Sequence, residues 1–190
     1  MHNATPALPP GDILIHAGDL TAHGTFDEVH AQLRWLSFKL VIAGNHDILL
    51  DEASDERFIT RREEIVLRRE RNWIGRDPQQ LVSRRVKIYG SPWMPEFGSW
   101  AFQYPPICDV WTGRVPDDTD ILTVHGPPAL HGDRDGEQGL TGKVKVKGDG
   151  YLLREIRRVK PKIVVCGHIH GVFGLAVIQH DGTQDVMNGL

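Results

Sequence analysis

Four apolar runs in this chain break off at short polar motifs, and this repeated punctuation constrains the fold more than any other feature. The motifs are His16-Ala17-Gly18-Asp19, Gly44-Asn45-His46-Asp47, His125-Gly126-Pro127-Pro128 and Gly167-His168-Ile169-His170. A short apolar run stopped in this way reads as a buried strand. The loop at the end of such a strand is where α/β proteins gather their chemistry. Residues far apart in sequence are therefore expected to meet at the strand ends.

With 190 residues, 40% of them hydrophobic, the chain can bury one sizeable core, and a single domain over 1–190 is expected. A formal net charge of -3 gives no general attraction to nucleic acid or to an anionic membrane. No apolar stretch approaches the ~18 residues of a membrane span. Met1–Pro10 lacks the basic and apolar blocks of a signal peptide. A cytoplasmic protein is the expectation. Cys108 and Cys166 are too few for a disulfide framework, and Cys166, ending an apolar run, reads as a small core residue.

The first third reads strand, helix, strand. Asp12 to Gly18 is an apolar run into a loop. Thr25 with Glu28 three residues later makes a capping box, followed at helical spacing by Phe26, Val29, Leu33 and Leu36, and Lys39 to Ala43 is a second run. In the charge-dense stretch 51–72, seven acids offset six arginines, so it reads as a solvated helix face and not as a phosphate-binding one. Leu81 to Gly90 reads as a strand. The aromatic segment Ser91–Trp100 is expected to be irregular, because two prolines and a glycine punctuate it and Gly90 precedes it. Thr119–Val124 and Lys162–Cys166 are further strands. Tyr151–Val159 reads as a helix with Leu152, Leu153, Ile156 and Val159 on one side, and Val172–Gln179 with Val186-Met187 reads as closing strands. Lys143, Lys145 and Lys147 alternate with valine, as on an exposed edge or a loop facing an anionic substrate.

A hydrolytic two-metal site needs a carboxylate that can bridge the ions, with imidazole and amide ligands completing each sphere. Asp19, Asn45, His125, His168 and His170 supply those types. Alone, each has an ordinary reading: Gly-Asp is a common turn, and Asn45 after Gly44 accommodates an unusual backbone angle. Their recurrence after four separate apolar runs carries the weight. A zinc-stabilised structural domain is disfavoured, because such sites usually use cysteines closely paired in sequence.

In these motifs the chain resembles the calcineurin-like metallophosphoesterases. Their signature is Asp-x-His, Gly-Asp, Gly-Asn-His-Asp/Glu, a lone His, and Gly-His-x-His, and the last four stand in order across residues 18 to 170. Gly11–Asp19, Gly90-Ser91-Pro92-Trp93 and His125-Gly126-Pro127-Pro128 are similar to the branch of metallophosphoesterase-domain proteins. The resemblance implies an α/β sandwich of two β-sheets flanked by helices. It also implies a metal-dependent phosphoesterase, most naturally a phosphodiesterase, in which a metal-bound hydroxide attacks phosphorus.

Carried over by position, Asp19 bridges two divalent metals, Asn45, His125 and His168 complete one site, and His170 and His2 serve the other. His46 stabilises or protonates the leaving oxygen, with Asp47 orienting its ring. Mn, Fe or Zn suits such mixed oxygen and nitrogen ligands, and Mg is the less natural fit. His16, within its strand, is expected to be a hydrogen-bonded core residue or to support the ligands from behind, and not to be a ligand itself. The implied substrate is a small phosphate ester, with a nucleotide among the candidates because Trp93, Phe97 and Trp100 either stack on a base or pack on the core. The Asp of Asp-x-His would fall before Met1, so a chain shortened at its start, lacking the first strand, is expected, and its end at Asn188-Gly189-Leu190 is expected to be shortened as well. The competing reading is a binding or regulatory protein of the same fold with little turnover.

Overall fold

The structure is a computed structural model. It describes residues 2–8, 10–11, 13–35, 40–51, 73–75, 79–83, 86–129, 134–138, 144–146, 148–170, 174–180 and 186–189, with the backbone alone in 73–75, 79–83, 134–138, 144–146 and 186–189. In chain order the first strands are β1 (Ile15–Ala17), β2 (Leu40–Ile42), β3 (Trp73–Gly75), β4 (Gln79–Ser83), β5 (Val86–Ser91), β6 (Met94–Pro95) and β7 (Gln103–Tyr104). They are followed by β8 (Ile121–Val124), β9 (Arg134–Gln138), β10 (Val144–Val146), β11 (Ile163–Val165), β12 (Gly174–Val177) and β13 (Val186–Gly189). The described helices are α1 (Phe26–Trp35) and α2 (Gly150–Val159).

Strands β1, β2 and β3 form a parallel sheet in that order, with Ile15 opposite Leu40 and Ala17 opposite Ile42. Because the register is even and parallel, Gly18 and Ala43 leave the sheet at the same level, so the first two motif loops start side by side. Leu40, Val41 and Ile42 are all buried, as a continuous apolar run in a parallel strand should be. Helix α1 joins β1 to β2 and starts on the expected capping box: Thr25 Oγ1 accepts from Glu28 N at 3.3 Å, and Glu28 Oε2 accepts from Thr25 N at 3.0 Å. Its Val29 and Leu33 pack with Ala43, Leu49, Leu50, Ala101 and Phe102 in one core. Leu36, expected on the same stripe, lies outside the described residues, as does the charge-dense stretch after Asp51.

The second sheet has the order β11-β8-β5-β4, parallel except for β4. The single strand expected over Leu81–Gly90 is instead an antiparallel pair, with Gln79 opposite Gly90 and Ser83 opposite Val86. Its loose alternation was the sum of two short strands. Strand β8 delivers His125 and β11 delivers His168, so the second sheet supplies the third and fourth motifs. Cys166, expected in the core, is exposed, because β11 ends its sheet and Ile163 beside it is also open to solvent.

Helix α2 covers the second core, where Leu152, Ile156 and Val159 meet Tyr89, Tyr104, Trp111, Val115, Leu122 and Val124. Asp149 caps it, accepting from Tyr151 N at 2.7 Å and Leu152 N at 3.2 Å, and Lys160 ends it in the left-handed conformation. On its flank, buried Glu155 accepts from the backbone of Gly113 and Val115 and pairs with Arg158.

The aromatic segment after β5 is more ordered than its prolines and glycines predicted. Strands β6 and β7 pair in parallel, with Met94 N donating to Phe102 O and Glu96 N to Tyr104 O. Strands β12 and β13 form an antiparallel pair, as do β9 and β10, which places the backbone of Lys145 in a two-stranded ladder. Lys143, Lys147 and His131 lie outside the described residues. Among the described residues, no helix is long and apolar enough to cross a membrane.

Candidate metal centre

The site is built on two loops packed backbone to backbone. Gly18 has φ +93°, and a Cβ there would lie 2.5 Å from His125 Nδ1 and 2.8 Å from Ala43 O; a Cβ on Gly44 would lie 2.3 Å from Asp19 N. Only glycine lets the loops after β1 and β2 approach this closely. Asp47 clasps them together. Fully buried, it accepts from Leu20 N (3.2 Å), Thr21 N (2.9 Å), Thr21 Oγ1 (2.8 Å) and Gly44 N (2.8 Å). Burial pushes the Asp47 carboxyl up, against the pull of these donors.

This corrects the expectation that Asp47 orients His46. Neighbours in sequence on a tight loop point different ways, and both Asp47 oxygens are taken by the first loop and by Gly44. The His46 ring is oriented by Ala22, whose carbonyl accepts from Nδ1 at 2.7 Å.

His125 is completely buried at the end of β8, and its Nδ1 lies 2.7 Å from Ala17 O. A carbonyl only accepts, so Nδ1 carries the proton and Nε2 of the neutral ring is a bare lone pair. That lone pair faces Asn45 Oδ1 at 2.9 Å and Asp19 Oδ1 at 3.4 Å. Asn45 Oδ1 in turn lies 3.0 Å from His168 Nδ1. A carboxylate, an amide oxygen and two imidazoles thus converge on one point, a donor set of the kind that holds a divalent cation.

The other Asp19 oxygen serves a second group. Oδ2 lies 3.8 Å from His2 Nε2, a buried atom with no hydrogen-bond partner among the described residues. His2, Asp19 and His170 offer ligand atoms within 4.8 Å of one another, as do Asp19, His125 and His168. The donor types fit a first-row divalent ion in both groups. All six residues expected as ligands are therefore brought together. His16 is not hydrogen-bonded as expected at Nδ1, which is buried without a partner among the described residues.

The electrostatics agree with a cation-binding role. Burial alone would raise the Asp19 carboxyl, but the hydrogen bond and charge of His125 and the backbone N–H of His46 hold it well below the usual carboxylate range. Burial lowers His125, yet its contacts with Asp19 win and hold it above the ordinary histidine value. His168 is pushed down to about 4, first by burial and then by the charge of His125. His2 is lowered by burial and by His46. At neutral pH, His2 and His168 are the neutral imidazoles that metals bind.

A cavity of about 1100 Å³ opens from Asp19, Asn45, His46, His168 and His170. Its far wall is formed by Met94–Phe97, Trp100, Pro106 and the start of α2, with Tyr151 and Arg154. Sequence reasoning read this helix over Tyr151–Val159, one residue short of its start, but not its place in the cavity wall, although Asp149 ahead of an amphipathic run is a legible N-cap. It also missed how the aromatic segment is placed. Ala101 N donates to Asn45 O at 3.2 Å, and Phe102 N donates to Asp51 Oδ2 at 2.9 Å, which stitches that segment to the second motif loop.

The calcineurin-like phosphoesterase profile matches residues 2–172, a span that takes in every one of these loops. The human metallophosphoesterase domain-containing protein 1 is 33% identical over 95% of this chain and 60% of its own length. The probable rhamnogalacturonate lyase C of Emericella nidulans is 36% identical over 96% of this chain, which spans 18% of that protein. The chain thus covers between about a fifth and three fifths of these relatives' own lengths. A shared aspartate between two histidine groups at the ends of parallel strands, and a matching profile across them, lead to one assignment: the chain belongs to the calcineurin-like phosphoesterase family.

Proposed function

We propose that the chain is a two-metal phosphodiesterase acting on small phosphate esters. The observation that carries this reading is the division of Asp19: Oδ1 toward His125, with Asn45 and His168 alongside, and Oδ2 toward His2, with His170 alongside. Divalent ions held by these two groups would neutralise charge on the phosphoryl oxygens and lower the pKa of a water. Mn, Fe or Zn is the natural choice for this donor set.

The remaining work falls to the chain's own residues. His46 lines the cavity, and its Nδ1–H is fixed on the Ala22 carbonyl, so a proton at Nε2 is the one it can release. As the P–O ester bond breaks, that proton passes to the leaving oxygen, while the attacking water's oxygen forms the new bond to phosphorus and its released proton restores Nε2. Asp47 acts through the two loops it clasps and not through His46. Phe97, Trp100 and Tyr151 give the cavity an aromatic wall suited to an apolar or aromatic arm on the ester, a nucleoside among the candidates.

The test is titration of metal-stripped protein with Mn, followed by hydrolysis of an aryl phosphodiester. Saturable Mn binding with turnover supports the reading. Metal binding without turnover of any phosphate ester overturns it and favours a binding protein of the same fold.

A further inference from the structure

His46 is held by more than its hydrogen bond. The Trp100 ring lies against the His46 imidazole, with a centroid distance of 4.2 Å and a tilt of 33°, and the His2 ring lies 4.4 Å from the same imidazole at 37°. One hydrogen bond from Nδ1 to Ala22 O leaves the ring free to swing about that axis. Flat neighbours at van der Waals distance remove that freedom.

Trp100 is itself placed with care. Its backbone N–H donates to Gln103 Oε1 at 3.4 Å, Gln103 Nε2 donates to Phe97 O at 3.0 Å, and the next residue, Ala101, bonds to Asn45 O. The loop carrying the indole is therefore tied to the loop carrying His46. Gly98, at φ +73°, brings its backbone to the indole edge, where a Cβ would lie 3.4 Å from Trp100 Cδ1 and Nε1. The indole remains 39% exposed, lining the cavity. A large apolar side chain fixed by its neighbours yet left half open is better explained by what it does to His46 than by core packing.

We infer that Trp100 is a positioning residue for His46, an aromatic plate that fixes the imidazole plane so that Nε2 faces the leaving oxygen. The inference rests on the proposed role of His46 as proton donor. It predicts a selective effect, because proton donation matters most when the leaving group is a poor one. A small misplacement of a catalytic group costs up to about a hundredfold in rate.

Trp100→Leu, Trp100→Phe and His46→Ala are compared in the Mn-loaded protein on two phosphodiesters, one releasing nitrophenolate and one an alkoxide. Trp100→Leu should lower kcat for the alkoxide ester by about tenfold or more relative to the nitrophenyl ester. Trp100→Phe, which keeps a flat ring, should recover most of that ratio. In metal-free protein, proton NMR should show the His46 ring protons losing their ring-current shielding in Trp100→Leu and keeping it in Trp100→Phe. An even loss on both esters in Trp100→Leu, with a selective loss in His46→Ala, overturns the inference and leaves the indole a cavity wall. Even losses in both variants overturn the role of His46 itself. Unshifted His46 protons in Trp100→Leu overturn the stacking.

Discussion

The two sides of the cavity handle buried polarity in opposite ways. On the side formed by the four motif loops, acceptors face one another: Asp19, Asn45 and His125 converge, and His2 Nε2 is buried without a partner among the described residues. On the side formed by α2 and β7, polar groups are matched. Asp149 accepts from Tyr151 N, Leu152 N and the Tyr104 hydroxyl, and Tyr104 in turn accepts from Trp111 Nε1 at 2.8 Å. A buried network that satisfies itself builds structure, and one that does not is waiting for a ligand. The contrast separates the residues that serve a cation from those that shape the space around it.

The sharpest way to break this contrast is Asp19→Asn, which removes the one charge shared by both groups. It should lower kcat/KM on the order of a thousandfold or more. It should also abolish the Mn-dependent rise in Tm, which for the parent corresponds to about 2.7 kcal/mol at a hundred times Kd. Retained Mn stabilisation would show that Asp19 is not the bridge.

Asp47→Ala tests the clasp beneath the ligands. Three backbone N–H groups would lose their acceptor, and the Thr21 hydroxyl would keep only His46 O, so unfolding should become easier by about 3 kcal/mol and Mn affinity should fall with it. If turnover fell while urea stability and Mn affinity stayed at parent values, a direct role at His46 would return. Glu155→Ala makes the complementary point on the satisfied side. It strands Gly113 N–H and Val115 N–H and should cost about 2 kcal/mol in urea unfolding, with Mn affinity unchanged.

What the sequence made legible follows the same division. The strand-end loops, the capping box and the α2 stripe could be read because each is a local pattern with a fixed period or spacing. The ligand types at Asp19, Asn45, His125, His168 and His170 could be read because family motifs place them. Asp47 was misjudged because adjacency in sequence says nothing about direction on a tight loop. Trp100 was visible only as an aromatic residue, since its placement over His46 depends on Ala101 bonding to Asn45, a contact between segments that no periodicity encodes. The β4–β5 pair failed for a simpler reason: strands of five and six residues in succession look like one long one.

The smallest expected effect lies at the start of α1. Burial would raise Glu28, but donors from Asn3, Thr25 and His23 pull it down to about 2. A depressed carboxyl stabilises the fold above its ordinary value and loses that contribution as pH falls toward the folded value. Thr25→Ala should cost about 1 kcal/mol at neutral pH. The stability difference between the parent and Glu28→Gln should shrink in urea unfolding as pH falls from about 4.5 toward about 2. A difference that stays constant across that range would detach the capping box from Glu28 ionisation.

Asp19 and His168 share one further property: both sit in the left-handed region, at φ 56° and φ 70°, where a residue with a Cβ is strained by about 1 kcal/mol or more. Glycine would relax both positions. A library of variants sorted for thermal stability without metal should therefore enrich Asp19→Gly and His168→Gly, discarding the site while improving the scaffold. Enrichment at those two positions would mark, without any assay of turnover, where this protein gives up scaffold stability for its site.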